Sequence, residues 1–160
     1  MKGLIHMQKK RSSIILLIAA IALPLLVGGL ATLISGGTSQ GFRKPPLSPP
    51  DWVFPVVWNI LYILIGLASY LIYKDSDYKF NDALKAYFYQ LFVNFLWPIV
   101  FFRFEYYTAS VVVLGVLILL VIGNIIEFYK LNHTAGLLLV PYLIWCLFAL
   151  YLNIGVAVLN

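Results

Sequence analysis

Residues 51–74 read DWVFPVVWNILYILIGLASYLIYK. Between Asp51 and Lys74 lie 22 residues without one charged side chain. A helix needs about 20 apolar residues to cross a hydrocarbon core about 30 Å thick. The stretch therefore has the length and composition of a membrane-spanning helix. Backbone N–H and C=O groups in lipid must be paired within a helix or a closed barrel. This segment is far longer than a barrel strand and shows no apolar/polar alternation, which leaves the helix.

The same pattern recurs along the chain. No charge lies between Arg11 and Arg43, between Lys85 and Arg103, between Glu105 and Glu127, or after Lys130. The gap after Lys85 holds 17 residues and the gap after Glu105 holds 21. Of 160 residues, 62% are hydrophobic and 11% charged, against about 25% charged in a typical soluble domain. The fold class expected is an all-α membrane protein, one five-transmembrane-helix bundle. Its helices fall at about residues 12–34, 51–73, 83–102, 107–129 and 134–158. A basic leader precedes them at residues 1–11, and a loop at 35–50 carries four of the eight prolines. Asp51 is a candidate N-cap for the second helix. The basic start resembles a signal peptide. However, the apolar stretch exceeds the usual h-region of roughly 7–15 residues, and no A-x-A site follows.

Orientation follows from counting Lys and Arg. The leader and the second and fourth connections carry Lys2, Lys9, Lys10, Arg11, Lys74, Lys79, Lys85 and Lys130. The opposite side carries Arg43, Lys44 and Arg103. The positive-inside rule places the N-terminus in the cytoplasm and the C-terminus outside. The net charge of +5 thus belongs to span flanks, where headgroups lie, and nucleic acid is not expected as a partner.

No charged residue sits within a span, which argues against a proton-coupled pump. No Ser/His/Asp or Cys/His set can be assembled, so no catalytic and no metal-ligating residue is proposed. Cys146 is a single thiol, and His6 and His133 lie at span edges. The spans instead carry amides and aromatics at helical spacing. Trp52, Pro55, Asn59, Tyr62, Gly66, Ser69 and Tyr73 form one stripe. Tyr87, Gln90, Asn94 and Trp97 form a second. Tyr142, Trp145, Ala149, Leu152 and Asn153 form a third, with Phe148 beside it. Amides at bilayer depth face inward, because lipid offers them no partner. For any single residue, helix–helix packing is an equal reading. Together the three stripes point to a cavity suited to a flat, largely apolar ligand.

The run KPPLSPPDWVFPVVWNILYILIGLASYLIY, the segment Asn94-Phe95-Leu96-Trp97-Pro98 with Phe101-Phe102, and the segment Pro141-Tyr142-Leu143-Ile144-Trp145 with Phe148-Ala149 and Leu152-Asn153 resemble the TspO/MBR family. These are the tryptophan-rich sensory proteins and translocator proteins. The resemblance spans about residues 15–155 and includes Gly28-Gly29. It implies five transmembrane helices, a homodimer, and a pocket covered by the loop between helices 1 and 2. The implied ligands are porphyrins such as protoporphyrin IX, or haem-related compounds. They enter as ligand rather than as a required cofactor. The implied pocket positions are Pro49, Trp52, Trp58, Asn94, Trp97, Trp145, Ala149 and Leu152, which overlap the three stripes. Three departures stand out. Leu47 replaces the first tryptophan of the loop motif. Ser39 and its neighbours replace an aromatic pair. No basic residue follows Tyr151, as a cholesterol motif requires. The leading expectation is a membrane tetrapyrrole-binding protein acting in sensing, sequestration or transport. The alternatives are a light- and oxygen-dependent porphyrin-degrading enzyme and a membrane scaffold.

Overall fold

The computed structural model describes residues 2–36 and 41–160, with side chains from Ser13 onward. Ser39 lies outside the described residues, as do the side chains of the basic leader. Every regular element among the described residues is helical: α1 (Lys2–Ser35), α2 (Val53–Asp75), α3 (Asp82–Pro98), a π-helical turn (Ile99–Arg103), α4 (Tyr107–Leu131), α5 (His133–Leu138) and α6 (Val140–Leu159). Four helical stretches are long and apolar enough to cross a membrane: Ser13–Ser35, Val53–Asp75, Tyr107–Leu131 and His133–Leu159. α3 has 17 residues and continues directly into the π-helical turn.

Several boundaries differ from the sequence reading. α1 begins at Lys2 rather than near residue 12. Lys, Gln, Met and Arg are strong helix formers, and nothing in the leader interrupts them. Asp51 does not cap α2. The N-cap position is Trp52, which makes no side-chain cap bond, while Asp51 pairs with Lys44. The last span is broken at Leu139, where α5 gives way to α6. Pro141 lacks the N–H that would continue the helical ladder, and it sits in the first turn of α6, where that loss costs nothing. Asn81 and Asn132 do cap: their side chains accept the N–H of Leu84 and Ala135, each at 2.9 Å.

Prolines also shape the packing. Pro24 lies inside α1 and removes the helical partner of the Ala20 carbonyl. A Cβ on Gly66 would lie 2.5 Å from that same oxygen and 2.6 Å from Ile21 Cα. Thus α2 meets α1 backbone to backbone where the ladder is open, a contact only glycine permits. Pro98 likewise ends α3. The chain then adds a wide turn closed by the Phe104 N–H donating to the Ile99 carbonyl at 3.1 Å, which turns Phe101 into the core.

The outward faces are apolar. Ile14, Ile18, Leu26, Leu30, Leu119 and Leu147 are exposed, as a lipid-facing surface requires. The polar groups lie inside: Ser69, Gln90, Asn94, Ser110, Asn124 and Asn153 are all buried. Glu127 and Lys130 form an i,i+3 pair on the surface, at 2.8 Å.

Candidate functional site

A cavity of about 500 Å³ opens between α1, α2, α3 and α6 beneath the loop that joins α1 to α2. Its volume lies in the range of small-molecule sites, roughly 300–1,000 Å³. Leu25 and Gly28 come from α1, Trp58 and Tyr62 from α2, and Asn94 and Trp97 from α3. Phe101 and Phe102 come from the π-helical turn, and Ala149, Leu152 and Asn153 from α6.

Aromatic rings form one wall. Trp58 stacks on Tyr62 with centroids 5.5 Å apart, and lies 6.2 Å from Trp97. Trp97 is 5.7 Å from Phe101. Trp97 is held by its indole N–H, which donates to Asn153 Oδ1 at 2.9 Å. Asn153 is fixed in turn, because its Nδ2 donates to the Tyr107 carbonyl at 3.2 Å and to Ser110 Oγ at 2.9 Å.

A second polar chain braces the cavity floor. Tyr62 Oη donates to Asn94 Oδ1 at 2.9 Å, Asn94 Nδ2 donates to Tyr142 Oη at 2.8 Å, and Tyr142 Oη donates to Gln90 Oε1 at 2.9 Å. Asn94 and Tyr142 each accept one of these bonds and donate the next, so the chain is mutually polarised. This relay joins α2, α3 and α6 at bilayer depth, where unpaired amides are expensive. Both ends of the Asn94 side chain are therefore engaged by protein, which makes Asn94 a brace of the wall before it is an anchor for any ligand.

The ten candidate positions, taken from the stripes and the family motifs, separate into four groups. Trp58, Asn94, Trp97, Ala149 and Leu152 border the cavity. Tyr142 stands behind them, buried, edge-on to Trp58 at 6.1 Å. Trp145 and Phe148 pack beside each other at 5.5 Å, and Phe54 separates Trp145 from the cavity at 5.8 Å. The Trp145 indole N–H is buried and has no hydrogen-bond partner among the described residues. Pro49 is half-buried in the loop. Trp52 is 68% exposed and lies off the cavity wall. Its backbone is already helical, with φ −66° and ψ −20°, yet its ring stays outside the bundle at the loop end of α2.

The loop contributes residues that helical periodicity does not reveal. Phe42 lies edge-on to Phe101 at 5.4 Å and borders the cavity with Lys44, Pro45, Ser48 and Asp51. The loop is fastened to the end of α6. Asn160 Oδ1 accepts the Arg43 N–H at 2.9 Å, and Asn160 Nδ2 donates to the Arg43 carbonyl at 3.0 Å. Tyr151 Oη donates to the Pro46 carbonyl at 2.8 Å. Pro45 sits where a Cβ on Gly155 would be, at 2.4 Å. In α1, Gly28 makes the corresponding allowance for the Tyr62 ring, at 2.1 Å.

Leu47 has φ 65° and is 83% exposed. It is not among the residues that border the cavity. Leu47→Trp is therefore expected to leave the affinity for protoporphyrin IX within about twofold of the parent, as surface changes usually do. A tenfold gain in a fluorescence titration would show that a ring at this position reaches the ligand.

The TspO/MBR family profile matches residues 16–159. The chain belongs to the TspO/MBR family. It is 35% identical over 152 residues to the tryptophan-rich protein TspO of Archaeoglobus fulgidus, covering 92% of this chain and 99% of that one. It is 37% identical over 121 residues to the tryptophan-rich sensory protein of Cereibacter sphaeroides, covering 76% and 75%. It is 34% identical over 116 residues to the human translocator protein, covering 71% and 69%. Family membership and the apolar helices together make this a multi-pass membrane protein. The TspO/MBR motifs noted in the sequence converge on one place: the loop motif covers the cavity, while the segments at 94–102 and 141–153 supply its walls.

Proposed function

We propose that this TspO/MBR protein binds a tetrapyrrole, protoporphyrin IX or a haem-related compound, within the helix bundle, and acts through it in sensing, sequestration or transport. The observation that carries this reading is the cavity of about 500 Å³ walled by Trp58, Trp97, Phe101 and Phe102. Rings in such a wall stack on a flat macrocycle, while the Asn94 and Asn153 bonds keep them in place. In this reading α3 and the π-helical turn make the fifth crossing, the N-terminus is cytoplasmic, and the C-terminus is outside. The homodimer rests on the family resemblance.

Titration of protoporphyrin IX against tryptophan emission in detergent tests the site. Trp97→Ala is expected to weaken binding roughly tenfold, since stacking on an aromatic side chain is worth about 1–3 kcal/mol. Unchanged affinity removes Trp97 from the site.

A second reading is light- and oxygen-dependent breakdown of the bound porphyrin. In its favour, Trp58 and Trp97 border the cavity, and the Leu47 departure lies away from it. Illumination under oxygen decides the matter. Decay of the porphyrin spectrum no faster than for porphyrin in detergent alone rejects the enzyme.

A further inference from the structure

The cavity wall is mostly apolar, with neutral polar groups at Thr32, Ser48, Asn59, Asn94 and Asn153, and two charges border it. Among the described residues on the wall, Lys44 and Asp51 are the only ionic side chains. Both stand at the loop end of the cavity and pair with each other. The backbone on each side of Lys44 is fastened: Arg43 by Asn160, Pro45 against Gly155, Pro46 by Tyr151. The position of the Lys44 backbone over the cavity is thus set by α6, while its long side chain is held, among the described residues, only by Asp51.

The side chains of Lys44 and Asp51 remain 38% and 48% exposed. A partly exposed pair of this kind contributes little by itself and exchanges readily. An ammonium group has three N–H donors, so an incoming carboxylate can share Lys44 or take it from Asp51. Asp51, carrying the same sign as such a ligand, opposes it.

We propose that Lys44 is a specificity residue that selects ligands bearing a carboxylate on the edge of an otherwise flat, apolar body. The acid edge lies under the loop against Lys44, and the ring lies deeper, against Trp58, Trp97 and Phe101. Asp51 tempers this preference by competing for the same ammonium. The inference rests on the tetrapyrrole reading and specifies which chemical form the site prefers.

The test compares two probes on the full chain in detergent: protoporphyrin IX, which carries two carboxylates, and its dimethyl ester, which carries none. Lys44→Met is expected to lower affinity for the diacid about fivefold and to leave the ester unchanged, an effect of the size partly exposed ion pairs reach. Lys44→Arg retains the preference. Asp51→Asn moves the diacid the other way, to tighter binding. Raising the salt concentration narrows the gap between the two probes, because exposed charges are screened. Equal losses for both probes in Lys44→Met would mean that the loop was disturbed, and would overturn the assignment. So would no loss for either. If neither probe binds the parent protein, the tetrapyrrole reading itself fails. If both bind the parent equally well and Lys44→Met changes nothing, that reading stands and the role of Lys44 does not.

Discussion

Replacing Trp58 and Trp97 together by alanine is expected to weaken protoporphyrin IX binding roughly a hundredfold. Each ring contributes about 1–3 kcal/mol if it stacks on the ligand. The two borders are contiguous, with centroids 6.2 Å apart, so both meet one macrocycle. The losses need not add, because Trp58 also packs on Tyr62 and Tyr142 and neighbouring substitutions couple. Trp52→Ala supplies the internal comparison. That residue is equally aromatic but 68% exposed, and its loss is expected to change affinity by less than about twofold. Three titrations of tryptophan emission, corrected for the missing fluorophores, check the contrast. A larger loss from Trp52 than from Trp58 and Trp97 would move the site to the loop.

Asn94→Leu is expected to destabilise the bundle by about 3 kcal/mol. The change leaves the Tyr62 hydroxyl without its acceptor, at a cost of about 1–3 kcal/mol for a buried polar group, and removes the Asn94 donor from Tyr142, which still donates to Gln90. Measured interhelical bonds in membranes average nearer 0.6 kcal/mol, because groups find other partners. The estimate therefore assumes that the relay through Tyr142 and Gln90 loses its polarisation as well. Thermal unfolding in detergent, followed by helical signal or by the reactivity of buried Cys146, measures the loss. A destabilisation below about 0.5 kcal/mol would show that these bonds are replaceable. Porphyrin affinity measured well below the unfolding transition separates the loss of the brace from the loss of the fold.

Four of the five expected spans could be read from charge alone, because a buried charge is costly and an exposed one marks an interface; the gap after Lys85 holds a helix, α3, of only 17 residues. Many inward residues on regular helices were legible: Tyr62, Asn94, Trp97 and Asn153 lie on the expected stripes and are buried, whereas Trp145, on the α6 stripe, stands off the cavity wall. The logic fails at the ends of helices and where the helical period changes. Trp52 has helical dihedrals but lies at the very end of α2, beyond the neighbours that would bury it. Phe101 reaches the core only through the wider π-helical turn, which no 3.6-residue period describes. The break at Leu139 was hidden because Pro141 reads equally well as a first-turn proline or as a kink. Trp58 entered through the family motif rather than through its stripe.

The loop was the least legible part. Its position depends on Asn160 and Gly155, more than a hundred residues away, and on shape complementarity with Pro45. Local sequence holds no record of such partners. Gly28 and Gly155 were visible as glycines, but not as the seats of Tyr62 and Pro45.

The central claim is that the bundle encloses a saturable site for a tetrapyrrole. Equilibrium titration of protoporphyrin IX into the full chain in lipid nanodiscs, against empty nanodiscs of the same lipid, tests it most directly. Saturation is expected at one porphyrin per chain, with tryptophan quenching that is lost in the Trp58 and Trp97 double variant. Uptake that rises without saturation and matches the empty nanodiscs would contradict it. The ligand would then merely be dissolving in lipid, and the membrane-scaffold alternative would gain ground.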